Sequence, residues 1–216
     1  MRMSHLDSIP RKHAGEALAE GRELLSRLTL ALARHPGATA GAPEHVRRAA
    51  VALVIAPGEE GPDLLLIKRA EWEGDPWSGQ VALPGGRKEP DDSTLWHTAA
   101  RETWEETGLE LLRSARLLGT LDELYPRNPA LPSIVVRPHV AILGEKPGLK
   151  LNEEVAAAFW APLEALRHPS STFEATVHVR GSDLRVPGIR HGEYTIWGMT
   201  EQILRGLFQA LEFQAK

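Results

Sequence analysis

The chain has 216 residues, of which 42% are hydrophobic and 25% are charged, and its formal net charge is −4. This composition is typical of a globular protein, and the slight negative charge argues against nucleic acid or an anionic membrane as a partner. No apolar run reaches the roughly 20 residues of a membrane span, and the N-terminus lacks the apolar core of a signal peptide. The sequence has no cysteine, which excludes disulfides and thiolate metal sites, so a cytoplasmic location is the default expectation.

The N-terminal part predicts a polar tail, one helix and a linker. Over residues 13–35, leucine and alanine recur at near-helical spacing, and Pro36-Gly37 ends the pattern. Small residues follow over 38–43. We therefore expect an N-terminal region over residues 1–43 and a main domain over residues 44–216.

Two apolar runs at the start of the main domain predict a β-hairpin. They cover residues 47–56 and 63–69 and flank a Gly- and Pro-containing turn. The loop that follows, 70–78, carries Trp72 and Trp77. These tryptophans either contact a substrate or cover the hydrophobic core, and the sequence leaves both readings open.

Residues 84–109 predict a glycine loop followed by a helix. Pro84-Gly85-Gly86 is typical of a tight backbone loop. The Asp-Asp-Ser-Thr run at 91–94 offers good N-cap residues, and Gly108 is a good residue to end a helix. About four turns of helix fit in between.

Three glutamates of this helix share one face. Glu102, Glu105 and Glu106 stand at i, i+3 and i+4, where like charges repel one another. Arg101 can pair with Glu105, but one arginine does not neutralise three carboxylates. Clustered carboxylate oxygens suit Mg²⁺. The alternative is a solvated helix face with unbalanced charge.

The rest of the chain predicts more strands and two helices. Strands are expected over 115–121 and over 133–143, and Pro138 inside the latter indicates an edge or a bulge. A loop over 122–132 lies between them and contains Tyr125. Further elements are expected as a short strand over 80–83, a short helix over 162–167, strands over 172–180 and 183–190, and a last helix opened by residues 196–200. This order predicts an α/β protein with a mixed sheet between helices.

The run RETWEETGL, from Arg101 to Leu109, resembles the second half of the Nudix hydrolase signature. Thr103 stands where that signature has its first apolar residue. The first half departs, because the residue that follows Gly86 after a gap of five residues is Asp92 instead of a glutamate. Eight residues then separate Asp92 from Arg101, one more than in the family pattern.

These departures resemble the coenzyme A pyrophosphatase branch of the family. The runs LLIKR at 65–69 and GQVALPGG at 79–86 resemble that branch's second signature, and Ile196-Trp197-Gly198 resembles its entry to the last helix. Trp77 differs, since the branch usually has a histidine there.

The resemblance implies a Nudix-type α/β/α sandwich with an extra N-terminal helix. It implies Mg²⁺ or Mn²⁺ bound by Glu102, Glu105 and Glu106, with Arg101 holding Glu105 and the glycine loop in place. A glutamate before a valine often supplies a further metal ligand or the catalytic base in this family; Glu154 fits best and Glu153 is the fallback. The catalytic group is then expected to be Arg101, Glu105, Glu106 and Glu154.

The resemblance also implies a nucleoside diphosphate derivative as substrate. Substrate contacts are expected from Arg69, Gly85, Gly86, Trp77 and Tyr125. Coenzyme A or its esters, cut to 3′,5′-ADP and 4′-phosphopantetheine, is the first expectation. ADP-ribose or a dinucleotide, or a non-catalytic nucleotide-sensing role, are the alternatives, and a homodimer is compatible with the family. The prenyl diphosphate isomerase branch is set aside because it needs a cysteine.

Overall fold

The computed structural model describes residues 14–73, 77–126, 133–179 and 182–212. Within these ranges a mixed sheet carries helices on both faces, and a small antiparallel sheet packs beside it. The helices are α1 (Ala14–Arg34), α2 (Leu95–Thr107), α3 (Leu111–Ser114), α4 (Leu163–Arg167) and α5 (Met199–Glu212). The strands are β1 (Arg47–Gly58), β2 (Gly61–Arg69), β3 (Val81–Ala82), β4 (Gly85–Arg87), β5 (Ala115–Thr120), β6 (Ile134–Leu143), β7 (Val155–Pro162), β8 (Thr172–Val179), β9 (Ser182–His191) and β10 (Tyr194–Trp197).

The main sheet forks along β1. The end of β1 pairs with β2 from Ile55 onwards, whereas its start pairs with β4 over Ala49, Ala50 and Val51. Beyond Leu64, β2 leaves β1 and pairs with β7 on one side and β3 on the other. The chain therefore passes from one arm of the fork to the other between β3 and β4.

On its other side β1 is parallel to β6, and β6 pairs with β5. Of the two expectations for Pro138, the edge strand is wrong, because β6 lies between β1 and β5. A bulge is present opposite it, since residues 121–123 lie opposite only Arg137 and Pro138 between the Thr120–His139 and Leu124–Val136 pairs. The carbonyl of Pro138 accepts a hydrogen bond from the Leu121 N–H. The missing N–H of Pro138 thus lies at an irregular part of the ladder.

The side chains of β1 alternate between two apolar cores. Leu53 and Ile55 join the core under α1, α4 and α5, while Ala50 and Ala52 face the core under α2. Small side chains on the second face let α2 approach the sheet closely. This is the α/β/α arrangement with an extra N-terminal helix that the sequence predicts.

The helix α1 and the linker are bonded to the main domain. Leu28 of α1 is fully buried in the core that lies under α1, α4 and α5. In the linker, Ala38 and Ala40 donate backbone hydrogen bonds to Asp122 and Glu123 at 2.7 and 2.9 Å. The domain boundary at residue 43 stays a prediction, but α1 is part of the folded core. No helix among the described residues has both the length and the apolarity needed to cross a bilayer.

Most elements form where the sequence predicts them, with some corrections. Residues 85–87, expected as a loop, form β4, and Ile196 and Trp197, expected to open the last helix, belong to β10. Gly198 turns the chain with a φ of 68° before α5 begins at Met199. The expected tail over 1–12 and the end of the 122–132 loop lie outside the described residues.

Candidate active site

The helix that carries the glutamates begins and ends at local signals. Thr94 is the N-cap, and its side chain accepts a hydrogen bond from the His97 N–H at 3.1 Å. Gly108 follows the last turn with a φ of 71° and donates to the Trp104 carbonyl at 2.7 Å. These two ends fix which residues of α2 face the sheet.

Thr103 stands where the Nudix signature has an apolar residue. It is fully buried on α2. Its hydroxyl donates to the Ala99 carbonyl one turn earlier at 2.6 Å. The neighbouring Thr107 makes the same bond to Thr103 at 2.6 Å. Because both hydroxyls are satisfied inside the helix, the polar substitution is compatible with burial.

The two glycines of β4 bring backbone into contact with the glutamates. Gly85 has a φ of 145°, and a Cβ there would lie 2.3 Å from the Ala50 carbonyl oxygen. A Cβ on Gly86 would lie 2.4 Å from the carboxyl carbon of Glu102. The Gly85 N–H donates to Glu106 Oε2 at 2.9 Å. Glycine at both positions therefore lets β4 form one wall of the carboxylate site.

Arg101 connects the glutamates of α2 to Asp92, which lies just before that helix. Its Nε and Nη2 donate to the two oxygens of Asp92 at 3.1 and 3.0 Å, a bidentate pair in which Asp92 is almost fully buried. Its Nη groups also donate to Glu102 Oε1 at 3.1 Å, Glu105 Oε2 at 3.0 Å and the Arg87 carbonyl at 3.0 Å. Asp92, which the sequence indicates as a departure from the motif and as one of four N-cap candidates, is thus the main anchor of Arg101.

The carboxylates perturb one another. The pKa of Glu106 is raised to about 8, chiefly by burial and also by the charges of Glu102 and Glu154, although the Gly85 N–H and Arg69 act to lower it. Burial likewise raises the pKa of Glu102, helped by Glu105 and Glu154. The hydrogen bonds from Arg101 hold the pKa of Asp92 far below its usual range. The face of α2 therefore carries more negative charge than Arg101 balances.

Glu154 lies beside this face, at the start of β7. Its charge acts on both Glu102 and Glu106, which places it near them. Its carbonyl accepts from the Ala70 N–H at 2.8 Å, next to the end of β2. The fork of the sheet thus brings α2, on the β4 arm, together with Glu154, on the β2–β7 arm.

The donor set fits a hard divalent cation, although the carboxylates are not arranged as a finished metal cage. Across residues 14–73, 77–126, 133–179 and 182–212, no three acidic or histidine side chains stand in a ready-made metal-binding geometry. One oxygen each of Glu102 and Glu105 accepts from Arg101, and one oxygen of Glu106 accepts from Gly85. Oxygen donors with raised pKa values and surplus negative charge are what Mg²⁺ or Mn²⁺ would stabilise.

The expected substrate residues lie at different distances from the carboxylates. The charge of Arg69 lowers the pKa of Glu106, which places Arg69 beside the site together with Gly85 and Gly86. Trp77 is partly buried in the loop that returns to β3, and its carbonyl accepts from Gln80 at 3.2 Å. Tyr125 lies beyond β6, where its hydroxyl is 3.2 Å from Ser133 Oγ, and no contact among the described residues joins it to the carboxylates.

The two tryptophans of the 70–78 loop differ in exposure. Trp72 is 54% exposed, so it does not cover the core, whereas Trp77 is partly buried. The Trp72 N–H donates to Ser78 Oγ at 2.9 Å, which closes the loop on itself. Of the two tryptophans, Trp72 is therefore the one that presents a large apolar surface to solvent.

Comparison with known proteins agrees with this geometry. A family model described as the NUDIX domain matches residues 46–178. The NudL protein of Yersinia pestis, named as an uncharacterized Nudix hydrolase, is 36% identical over 164 residues, which cover 76% of this chain and 79% of NudL. An uncharacterized Schizosaccharomyces pombe protein is 36% identical over 167 residues, and the match spans 68% of this chain but only 50% of that protein.

A solved structure shares the fold. The MutT/nudix family protein from Enterococcus faecalis matches with a TM-score of 0.51 and 20% identity over 92% of this chain and 73% of that protein. The family model covers more than half of the 216 residues, and it includes the glycine loop, α2 and Glu154. The chain belongs to the Nudix hydrolase family.

Proposed function

We propose that this chain is a divalent-metal-dependent pyrophosphatase that cleaves a nucleoside diphosphate derivative, with coenzyme A or its esters as the substrate. The products are 3′,5′-ADP and 4′-phosphopantetheine or its acylated form. The observation that carries the proposal is the convergence of Glu102, Glu105, Glu106 and Glu154 at the fork of the sheet. A cytoplasmic location and a homodimer stay predictions.

Each residue of the carboxylate site has its own proposed role. Glu102, Glu105 and Glu106 would hold Mg²⁺ or Mn²⁺, which when bound neutralises phosphate charge and lowers the pKa of a water. Arg101 keeps Glu102 and Glu105 in place through its bonds to both. Glu154, on the opposite arm, would bind a further ion or accept the proton of the attacking water.

The glycine loop and Arg69 act on the substrate side. Gly85 and Gly86 let β4 lie against β1 and Glu102, because neither carries a side chain, and so keep backbone beside the carboxylates where a phosphate would bind. Arg69, at the end of β2, adds a positive charge beside Glu106 that favours an anionic substrate. Both features support a diphosphate in preference to a neutral substrate.

Coenzyme A is favoured over other diphosphates by sequence features and by the loop surface. The Asp92 spacing, the 65–86 signature and the Ile196-Trp197-Gly198 run occur together in the order of the coenzyme A branch. Exposed Trp72 offers an apolar contact for a pantetheine arm. ADP-ribose or a dinucleotide is the alternative, since Trp77 replaces the branch's usual histidine.

A panel of diphosphates tests the proposal. Coenzyme A, acetyl-coenzyme A, ADP-ribose and dinucleoside polyphosphates are incubated with Mg²⁺ or Mn²⁺, and products are identified by mass. We expect the highest kcat/KM for coenzyme A or its ester, with turnover lost on adding a chelator and lowered by orders of magnitude in Glu105→Gln. A higher kcat/KM for ADP-ribose refutes the coenzyme A assignment, and tight binding of nucleotide without turnover indicates a sensing module.

A further inference from the structure

A short segment before β7 caps the C-terminal end of α2. The Lys150 N–H donates to the Thr107 carbonyl at 2.8 Å, and the Asn152 N–H donates to the Glu106 carbonyl at 3.3 Å. The last carbonyls of a helix have no partner within the helix, so these bonds satisfy two of them. The segment therefore follows the backbone of α2 at the residue that carries the most buried carboxylate.

Within that segment the side chain of Asn152 sets the backbone of Glu154. Asn152 Oδ1 accepts from the Glu154 N–H at 3.0 Å, and the Asn152 carbonyl accepts from the Val155 N–H at 3.3 Å. This is the turn that asparagine forms with the backbone two residues ahead. On its other side, the Glu154 carbonyl accepts from the Ala70 N–H at 2.8 Å. The Glu154 backbone is thus held at both its N–H and its carbonyl.

Glu154 needs such support because, among the residues that the structure describes, its side chain makes no hydrogen bond or ion pair. The residue is exposed, and its negative charge acts against Glu102 and Glu106, so repulsion favours its movement away from them. Asparagine is suited to the task because its amide accepts the hydrogen bond without adding another negative charge.

We propose that Asn152 is a positioning residue that fixes Glu154 against the C-terminal end of α2, and so sets the separation between Glu154 and the glutamates of that helix. This inference rests on the proposed function for its catalytic consequence. Its structural part, the restraint on the Glu154 backbone, stands independently of any activity.

The kinetic test combines Asn152 and Glu154 substitutions. With the diphosphate that the panel identifies, Asn152→Ala should lower kcat about tenfold, the equivalent in rate of one hydrogen bond, with KM nearly unchanged. Asn152→Asp and Asn152→Ser keep an acceptor, and at least one of them should recover most of the rate. In a Glu154→Gln background, Asn152→Ala should have little further effect, because its influence passes through Glu154.

Leu151→Ala serves as the matched control, since it alters the same exposed segment without touching the side-chain bond to Glu154. It should leave kcat unchanged. Equal losses in Leu151→Ala and Asn152→Ala, or a loss from Asn152→Ala that is fully additive with Glu154→Gln, would mean that Asn152 only supports the fold. An unaltered kcat in Glu154→Gln also overturns the inference.

Hydrogen exchange measured by mass spectrometry provides a readout without turnover. The peptide containing the Glu154 N–H should exchange faster in Asn152→Ala than in the parent, and Asn152→Asp should retain the protection. If the parent cleaves no diphosphate but shows this pattern, the proposed function fails while the restraint is supported. If protection is the same in the parent and Asn152→Ala, the inference fails whatever the activity.

Discussion

Glu106 should destabilise the protein when no divalent ion is present. Its side chain is buried on α2, and its pKa is raised to about 8 chiefly by that burial. Glutamine has nearly the same shape and can accept the same hydrogen bond from the Gly85 N–H. The variant Glu106→Gln should therefore remove the cost of the buried charge and leave the packing of α2 intact.

The sign and size of this destabilisation follow from the pKa of Glu106 in the folded state and in the unfolded chain. The folded state keeps the Glu106 proton up to about pH 8, whereas the unfolded chain loses it near 4.5, the usual pKa of a glutamate. Between these values the folded state binds more protons, so the free energy of unfolding falls as pH rises. Each pH unit is worth about 1.4 kcal/mol, which gives about 3 kcal/mol at pH 7.

The assay is chemical denaturation of parent and Glu106→Gln in chelator, from pH 5 to pH 8. The variant should be the more stable, with a difference of about 3 kcal/mol at pH 7 that shrinks towards pH 5. Added Mg²⁺ at a hundredfold excess over its Kd should raise the parent's stability by about 2.7 kcal/mol and the variant's by less. Turnover in the variant should fall by orders of magnitude.

Glu105→Gln is the matched control, because Glu105 lies on the same face of α2 but its side chain is 42% exposed. It should show no such gain in chelator, since it removes only a solvent-screened pair with Arg101. A difference between parent and Glu106→Gln that does not change with pH would refute the reasoning from burial. So would an equal gain in both variants.

Three further outcomes are expected. Asp92→Asn should lower the free energy of unfolding by about 3 kcal/mol and lower kcat as well, because a buried bidentate pair with Arg101 is lost, as denaturation and steady-state kinetics will report. Gly86→Ala should lower kcat with little change in melting temperature, because the new Cβ displaces only the flexible end of Glu102. Burial lowers the pKa of His139 to about 4, so on acidification the unfolded chain binds a proton at this histidine before the folded protein does. The free energy of unfolding should therefore fall by about 1.4 kcal/mol per pH unit from about pH 6.5 down to about pH 4.

Each of these outcomes has its own control. Gly85→Ala should lower the melting temperature, in contrast to Gly86→Ala, because its Cβ would meet backbone at a φ that favours glycine. Asp92→Glu should retain more stability than Asp92→Asn, since it keeps the charge. The His139 slope is isolated as the difference from His139→Phe, and an identical pH dependence in both proteins would contradict it.

The sequence predicts the catalytic helix well because its signals are local. Thr94 and Gly108 end the helix through bonds within a few residues, and the 3.6-residue period alone places three glutamates on one face. The pairing of Arg101 with Glu105 is local for the same reason. Such features need no knowledge of the rest of the fold.

Other features depend on partners distant in sequence, and local composition does not reveal them. Gly85 and Gly86 form a strand only because β1 supplies the hydrogen bonds, so their composition indicates a loop. Pro138 is accepted in an inner strand because its neighbour ends beside it. The role of Asn152 becomes visible only when Glu154 is placed near α2. The composition of its loop likewise does not reveal that Tyr125 follows Leu124, which is paired with β6.

The fork in the sheet separates two kinds of evolutionary change. The β4 arm and α2 carry Gly85, Gly86 and the three glutamates. The β2–β7 arm carries Arg69 and Glu154, and also the 70–78 loop, whose described residues form no strand pair with β4. An insertion in that loop can reshape the surface around Trp72 without shifting Gly85 or Gly86. The two arms are joined by the backbone hydrogen bonds from Lys150 and Asn152, before β7, to Thr107 and Glu106 of α2. New substrates can therefore arise by altering the loop on one arm, provided that these bonds are kept.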